Sequence, residues 1–414
     1  MTNILELIKN EKVEWKQLGE VCKEKFWMMP ATPKFINDKR IPYITGKNIR
    51  QGEIDFTKVK YISEEDFNNI SKNRKLKVDD ILVSMIGTIG EIGIINDGEK
   101  FYGQNLYVLR LDKDKVINRY FYYYFSQSKV KEKLVSKKNT SSQGYIRAGQ
   151  LECLEIPIPS LETQEKIVEI LDKFTNYVIE LQSEFQSRTK QYTYYRDMLL
   201  SEEYLNKITK EMEEDGVEWK KLGEIGSFVN GSGMPKTMFD DKGDVGAIHY
   251  GHIYTKYNLF VKKPLIQISK ENSTKLKKVE FGDIVIAKTS ENIDDVMKSV
   301  AYLGEEIVVV GGHSAIYSHK QNPKYLSYVF NGSRDVIKQK NKLARGVKVI
   351  ELSSVDMTRI KIPLPSLRVQ QHIVSILDKF DTLVNDIKEG LPKEIEQRQK
   401  QYEYWREQLL SFSK

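Results

Sequence analysis

The chain has 414 residues, 40% of them hydrophobic and 10% aromatic, which is enough for real cores and too long for one ordinary domain. Its 65 basic and 58 acidic residues leave a net charge of +7, which permits a polyanionic partner without demanding one. Three classes are excluded: no run of about eighteen apolar residues could span a membrane, MTNILELIKNEK is no signal peptide, and the distant Cys22 and Cys153 imply neither disulfide nor zinc. A soluble, cytoplasmic protein with no membrane partner is expected.

The first landmark in chain order is V-E-W-K-Q-L-G-E at Val13 to Glu20. Short strands then follow in IPYITGKNIRQGEI, KVKYI, DDILVSMIGTIGEIGII and NLYVLRL, where apolar and polar residues alternate between Gly and Asn punctuation. A helix is predicted from Asn118 to about Lys137. Ile156-Pro-Ile-Pro159 must be extended, because each proline pushes the residue before it out of the helical region. Ser160 suits the N-cap of a long helix starting at Leu161.

Along that helix Leu171, Val178, Phe185, Tyr192 and Leu199 recur every seven residues, with Phe174, Leu181 and Tyr195 three residues after members of the series. Only Arg188 interrupts the second row. This is the seam of a helix that pairs lengthwise with another helix. At about 1.5 Å per residue it spans roughly 60 Å.

The chain then repeats itself. V-E-W-K-K-L-G-E returns at Val217 to Glu224, identical at seven of eight positions. Strands are predicted in AIHYGHI, KPLIQI, GDIVIAK, VAYLG and EEIVVVGG, and a helix near Lys324 to Lys342. IPLPSLRVQQHIVSILDKF from Ile362 matches IPIPSLETQEKIVEILDKF from Ile156 at thirteen of nineteen positions, and RQKQYEYWREQLLS matches RTKQYTYYRDMLLS at nine of fourteen. A repeat of this quality outranks any single motif as evidence about architecture. The second copy offers its own seam through Leu377, Phe380, Val384 and Ile387, resuming at Tyr402, Trp405 and Leu409. Four extra residues around Gly390-Leu391-Pro392 shift the stripe by about one turn, and Pro392 should kink or interrupt the helix. Outside this framework the two strand-rich regions share little, as expected of two different binding surfaces on a common support.

Basic and polar residues cluster at corresponding points of the two regions. Cations steer a domain to phosphates, while Asn, Gln, Arg and Ser/Thr can read base edges. The candidates for DNA contact are Lys47, Asn48, Arg50, Ser84, Thr88, Lys137, Lys138, Asn139, Gln143 and Arg147 in the first region. In the second they are His252, Lys288, Thr289, Ser290, Lys342, Arg345 and Lys348. Catalytic readings are weaker. No G-x-x-x-x-G-K-[ST] loop and no Asn-Pro-Pro-aromatic signature is present. Gly282 to Lys288 reads as a core strand entered through a turn rather than a nuclease strand. His249 and His252, three residues apart beside strands, do not converge on a metal, so no catalytic or metal site is assigned.

The doubled Ile-Pro-x-Pro-Ser-Leu-x-x-Gln helix start, the E-W-K-x-L-G-E segments, the G-T-I-G turn at Gly87 to Gly90 and the K-Q-Y-x-Y-x-R helix end together resemble the DNA-specificity subunit of type I restriction–modification systems, over essentially the whole chain. The resemblance implies an α+β fold: two pseudo-two-fold-related, strand-rich target-recognition domains separated by two long antiparallel helices packed as a coiled-coil-like spacer. Its segments would be 1–157 and 204–363 for the domains and 158–203 and 364–414 for the helices. It implies a non-catalytic subunit that binds no cofactor, reads a bipartite duplex, and docks two modification subunits carrying S-adenosylmethionine, and through them restriction subunits. Thr289-Ser290-Glu291-Asn292 stands where the first domain has Gly87 to Gly90, so a role for that turn need not carry over. The rival classes are a stand-alone nuclease or methyltransferase and a scaffold that binds only proteins.

Overall fold

The computed structural model describes residues 6, 8, 11–38, 40–136, 144–385 and 390–412; Lys137, Lys138, Asn139, Gln143 and Ile387 lie outside the described residues. The chain divides into two compact units, Met1–Glu180 with Glu396–Lys414, and Leu181–Ile395. This division cuts through both long helices instead of falling at their starts. The reason is local packing: Leu409 and Leu410 complete the core of the first unit, and Leu199 and Leu200 that of the second.

In the first unit a four-stranded antiparallel sheet carries Cys22–Met28, Leu106–Leu111, Ile81–Ser84 and Ile92–Ile94 in that spatial order. Successive side chains of a strand face opposite sides. Ile81, Val83, Tyr107 and Leu109 therefore join the helical core, while Leu82, Leu106 and Val108 join a second core with Ile41, Tyr43 and Ile44. Burial on both faces explains why these strands read as near-continuous apolar runs. The second unit repeats the plan in a five-stranded sheet. Ile284, Ile286 and Tyr317 face the helices there, and Val285, Val300 and Ile316 face the other core.

The turn before the central strand is built alike in the two units, at Asp79-Asp80 and at Gly282-Asp283. Asp80 accepts a hydrogen bond from the Lys77 amide (2.8 Å), and Asp283 from the Glu280 amide (2.9 Å). The preceding residue is left-handed in both, with φ +72° at Asp79 and +91° at Gly282. Only Gly, Asn or Asp occupies that region readily. Asp283 is thus a turn cap.

Each predicted mid-domain helix is in fact two: Asn118–Phe125 and Ser128–Val135, then Pro323–Gly332 and Arg334–Leu343. Gln127 and Ser333 are extended at the breaks. Gly332 lies so close to Arg196 that a Cβ would stand 2.5 Å from its Cδ. The first helix of each pair buries its aromatic run in the core.

That run holds the repeated Ile-Pro strand. Tyr120 donates its hydroxyl to the Pro157 carbonyl (3.0 Å), and Tyr325 to that of Pro363 (2.9 Å). The strands Glu155–Ile158 and Lys361–Leu364 each pair with an E-W-K strand, Trp15 opposite Pro157 and Trp219 opposite Pro363. The helix Leu161–Leu199 follows, 39 residues or about 58 Å long. As expected, Ser160 caps it, accepting from the Thr163 amide at 3.3 Å.

The Gln and Asp of the repeated motif are structural clamps. Buried Gln164 accepts from the Ile117 amide (2.9 Å) and donates to the Pro159 and Lys115 carbonyls (3.0 and 2.8 Å). Gln370, fully buried, accepts from the Asn322 amide (3.0 Å) and donates to the Pro365 carbonyl and Gln321 (2.9 Å each). About two turns further on, Asp172 pairs with Arg119 and accepts from Tyr123, while Asp378 pairs with Lys324 and accepts from Tyr328.

Within the first unit Leu171, Val178 and Leu409 are buried, and Phe174, Tyr402 and Trp405 are half-buried. Within the second, Leu181, Tyr192, Leu377 and Val384 are buried, Phe185 is half-buried, and Tyr195 stacks on Phe380 at 5.1 Å. Exposed Arg188 pairs with Glu184, which explains the interruption of the seam. The C-terminal copy is two helices, Leu367–Asn385 and Leu391–Leu409. Pro392 sits in the first turn of the latter, where its missing N–H costs nothing. Among the described residues no helix is long and apolar enough to cross a membrane.

Candidate nucleic-acid interface

In each unit the end of the central strand is fastened to the segment that follows the helix pair. In the first unit Ile86 bridges Tyr145, and the Ile146 amide donates to the Met85 carbonyl at 3.0 Å. The turn between is tight: Gly87 and Gly90 have φ of +76° and +81°, and the Gly90 amide returns to the Ser84 carbonyl at 2.9 Å. Exposed Thr88, at the tip of this turn, and exposed Arg147 are thereby brought onto neighbouring segments.

In the second unit Thr289–Ser290 pairs with Ile350–Glu351, and Arg345 bridges Glu351. The Leu352 amide donates to the Lys288 carbonyl (2.9 Å), and the Lys288 ammonium lies 3.7 Å from Glu351. Lys288, Thr289, Ser290, Arg345 and Lys348 therefore come together. Arg345 and Lys348 are exposed on a loop whose Val347 is 96% accessible and whose Gly346 has φ +115°. Lys342 is exposed at the end of the preceding helix.

Several candidates have internal duties instead of free faces. Asn48 is buried, accepting from the Thr45 amide (3.0 Å) and donating to the Asp55 and Lys58 carbonyls (3.0 and 3.2 Å). It braces the hairpin that presents exposed Arg50, beside exposed Lys47. Ser84 is fully buried and accepts from the Glu91 amide at 2.9 Å. Thr289 and Ser290 are buried, and Ser290 accepts from the Asn292 amide at 3.2 Å. These four shape the loops that carry the exposed cations.

Two features of this surface were not legible in the sequence: the burial of Lys340 and the surroundings of the candidate His252. Lys340 is buried and donates to the carbonyls of Ile293 (2.9 Å) and Asp294 (3.5 Å), pinning the loop that replaces Gly87 to Gly90. Burial pulls its ammonium below the ordinary lysine value, against the pull of Asp294 and Asp295. A lysine on a lysine-rich amphipathic helix gives no sequence signal of burial. The other is a ring cluster in which His249 lies 4.7 Å from Tyr250 and 5.7 Å from His252, and Tyr250 lies 5.1 Å from His313. His249 and His313 are 64 positions apart, so only folding brings them together. Among the described residues no His/Cys/Asp/Glu group could hold a metal ion.

Comparisons with known proteins bear on this arrangement. The family described as "Type I restriction modification DNA specificity domain" matches twice, over residues 10–188 and 214–397. The chain is 37% identical over 325 residues to a type I restriction enzyme specificity subunit of Escherichia coli, covering 74% of each sequence. It is 29% identical over 421 residues to a putative type I restriction enzyme specificity subunit of Haemophilus influenzae, covering 100% of this chain and 99% of that one. The crystal structure of the S subunit of a type I restriction–modification system from M. genitalium superimposes with a TM-score of 0.57 at 16% identity, covering 98% of both chains, a likeness of fold.

Proposed function

The chain belongs to the type I restriction–modification DNA specificity family, and from that premise we propose that each of its two units reads one half of a split double-stranded target. It is a DNA sequence-recognition subunit, whose part in the complex is to recognise the site and not to carry out the chemistry. The observation that carries the half-site reading is the duplicated platform. In both units a loop fastened to the end of the central strand holds cations outward, Arg147 in one and Arg345 with Lys348 in the other. The framework beneath is the same while the loops differ, so the two halves of the target should differ in sequence.

Arg345 and Lys348 would contact phosphates or base edges, with Lys288 held behind them by Glu351. Lys47, Arg50 and Thr88 would serve the first half-site beside Arg147. The helices would set the gap between half-sites and dock two modification subunits. Those partners would carry S-adenosylmethionine and transfer the methyl group, and restriction subunits would join through them.

The test is duplex binding by the full chain across a salt series. Each phosphate contact contributes a slope of about −0.9 in log affinity against log salt. The pair Arg345→Ala and Lys348→Ala should reduce the slope by about two and weaken binding severalfold. Unchanged slope and affinity would remove this loop from the interface.

A further inference from the structure

All five histidines of the chain lie in the second unit, and three of them gather at one place on it. His249 ends the strand Val245–Ile248, His252 lies one turn into the helix Tyr250–Thr255, and His313 sits in the turn before Ser314–His319 with φ +65°. Tyr250 bridges them, 4.7 Å from His249 and 5.1 Å from His313. The patch is continuous with the cationic loop, because the His313 carbonyl accepts from the Lys288 amide at 2.8 Å. His313 is exposed and the other two are half-buried, and the Nδ1 of His252 has no hydrogen-bond partner.

We propose that this imidazole–tyrosine patch is part of the surface through which the second unit grips its half-site, and that His249 and His252 take up a proton when duplex phosphates settle against them. Recognition of one half-site alone then depends on pH. The inference rests on the half-site reading above and adds to it a set of residues and a linkage.

The electrostatics run in that direction. The charged and titratable groups facing His249 are His252, Lys236 and His313, and those facing His252 are Lys256 and Lys236, with the tyrosines 250 and 257 as ring neighbours. Glu291 and Asp295 face Tyr254. Burial and these neighbours hold both imidazoles below the ordinary histidine value, burial being the larger effect. In the free protein they are therefore neutral near pH 7. A phosphate placed among them reverses the balance, so binding draws protons in and strengthens as pH falls. The first unit holds no histidine and supplies an internal control.

The experiment uses the full chain with its co-purified partners. The probe is a fluorescein-labelled duplex bearing the site mapped by adenine-methylation profiling, alongside versions with either half scrambled. Between about pH 8 and about pH 6, one half-site should gain about three- to tenfold in affinity while the other stays flat. The triple variant H249Q/H252Q/H313Q should abolish that gain. Should the variant misfold, diethyl pyrocarbonate labelling of the wild type read by mass spectrometry decides: the duplex should protect these three histidines and leave His372 labelled. Tight binding that is flat in pH for both halves, with undiminished labelling, overturns this inference alone. A chain that binds none of the duplexes overturns the half-site reading with it.

Discussion

His319 shows how one side chain ties stability to pH. Its Nδ1 accepts from the Gln321 amide (3.0 Å), its ring packs 5.4 Å from Tyr317, and its Nε2 is buried without a partner. Burial pushes the imidazole down to about 4, although Asp283 pulls the other way. The unfolded chain takes up the proton first, near the ordinary value of about 6.5. The stabilisation is therefore complete above about pH 6.5 and drains away as pH falls toward 4. His249 and His252 act in the same sense. Calorimetry should show the second unit losing melting temperature between pH 7 and pH 4.5, and His319→Gln reducing that loss. Equal acid losses in wild type and variant would count against the assignment. Other candidates at this scale turn inward for a single reason. Asn48 and Ser84 carry base-reading groups, yet backbone groups a few residues away claim them first, and a polar side chain does not announce which partner it will find.

At the scale of elements, the repeated motif is explained by what each helix must grip. Gln164 and Gln370 satisfy a backbone amide at the start of the aromatic helix and a carbonyl of the Ile-Pro strand at once. Replacing Gln370 by Leu strands both groups in a fully buried place. The expected cost is about 2–3 kcal/mol, read as early unfolding of the second unit while the first melts unchanged. Loss of less than about 0.5 kcal/mol would mean water or a shifted backbone compensates. The expected position of the Ser160 cap was right because capping is local chemistry. The single mid-domain helices were wrong because the breaks at Gln127 and Ser333 serve packing that periodicity does not contain. The close approach of Gly332 to Arg196, 136 positions earlier, is one instance.

At the scale of the whole molecule, the uninterrupted helix Leu161–Leu199 supplies residues to both units, and so does the C-terminal stretch from Leu391. If these helices set the gap in the target, adding four residues between Phe174 and Arg188 should change the accepted spacer and leave both half-site sequences alone. Replacing Ser227 to Ile360 with the matching part of another specificity subunit should change one half-site only. Methylated-adenine profiling reads both outcomes, and an insertion that alters bases but not the gap would count against a spacer role.

The amino-acid sequence established the duplication, the strand and helix types, the capped helix start, the seam and the family, because each is written in local chemistry or in the match between two copies. Tertiary structure decided the rest. It moved the unit boundaries into the helices, since Leu199 and Leu409 are each needed by a core distant in sequence. It sent Asn48, Ser84, Thr289 and Ser290 inward, and it buried Lys340 against the loop it holds. It also gathered His249, His252 and His313 beside Lys288. Which polar groups are spoken for, and which are left facing outward, depends on partners brought near only by folding.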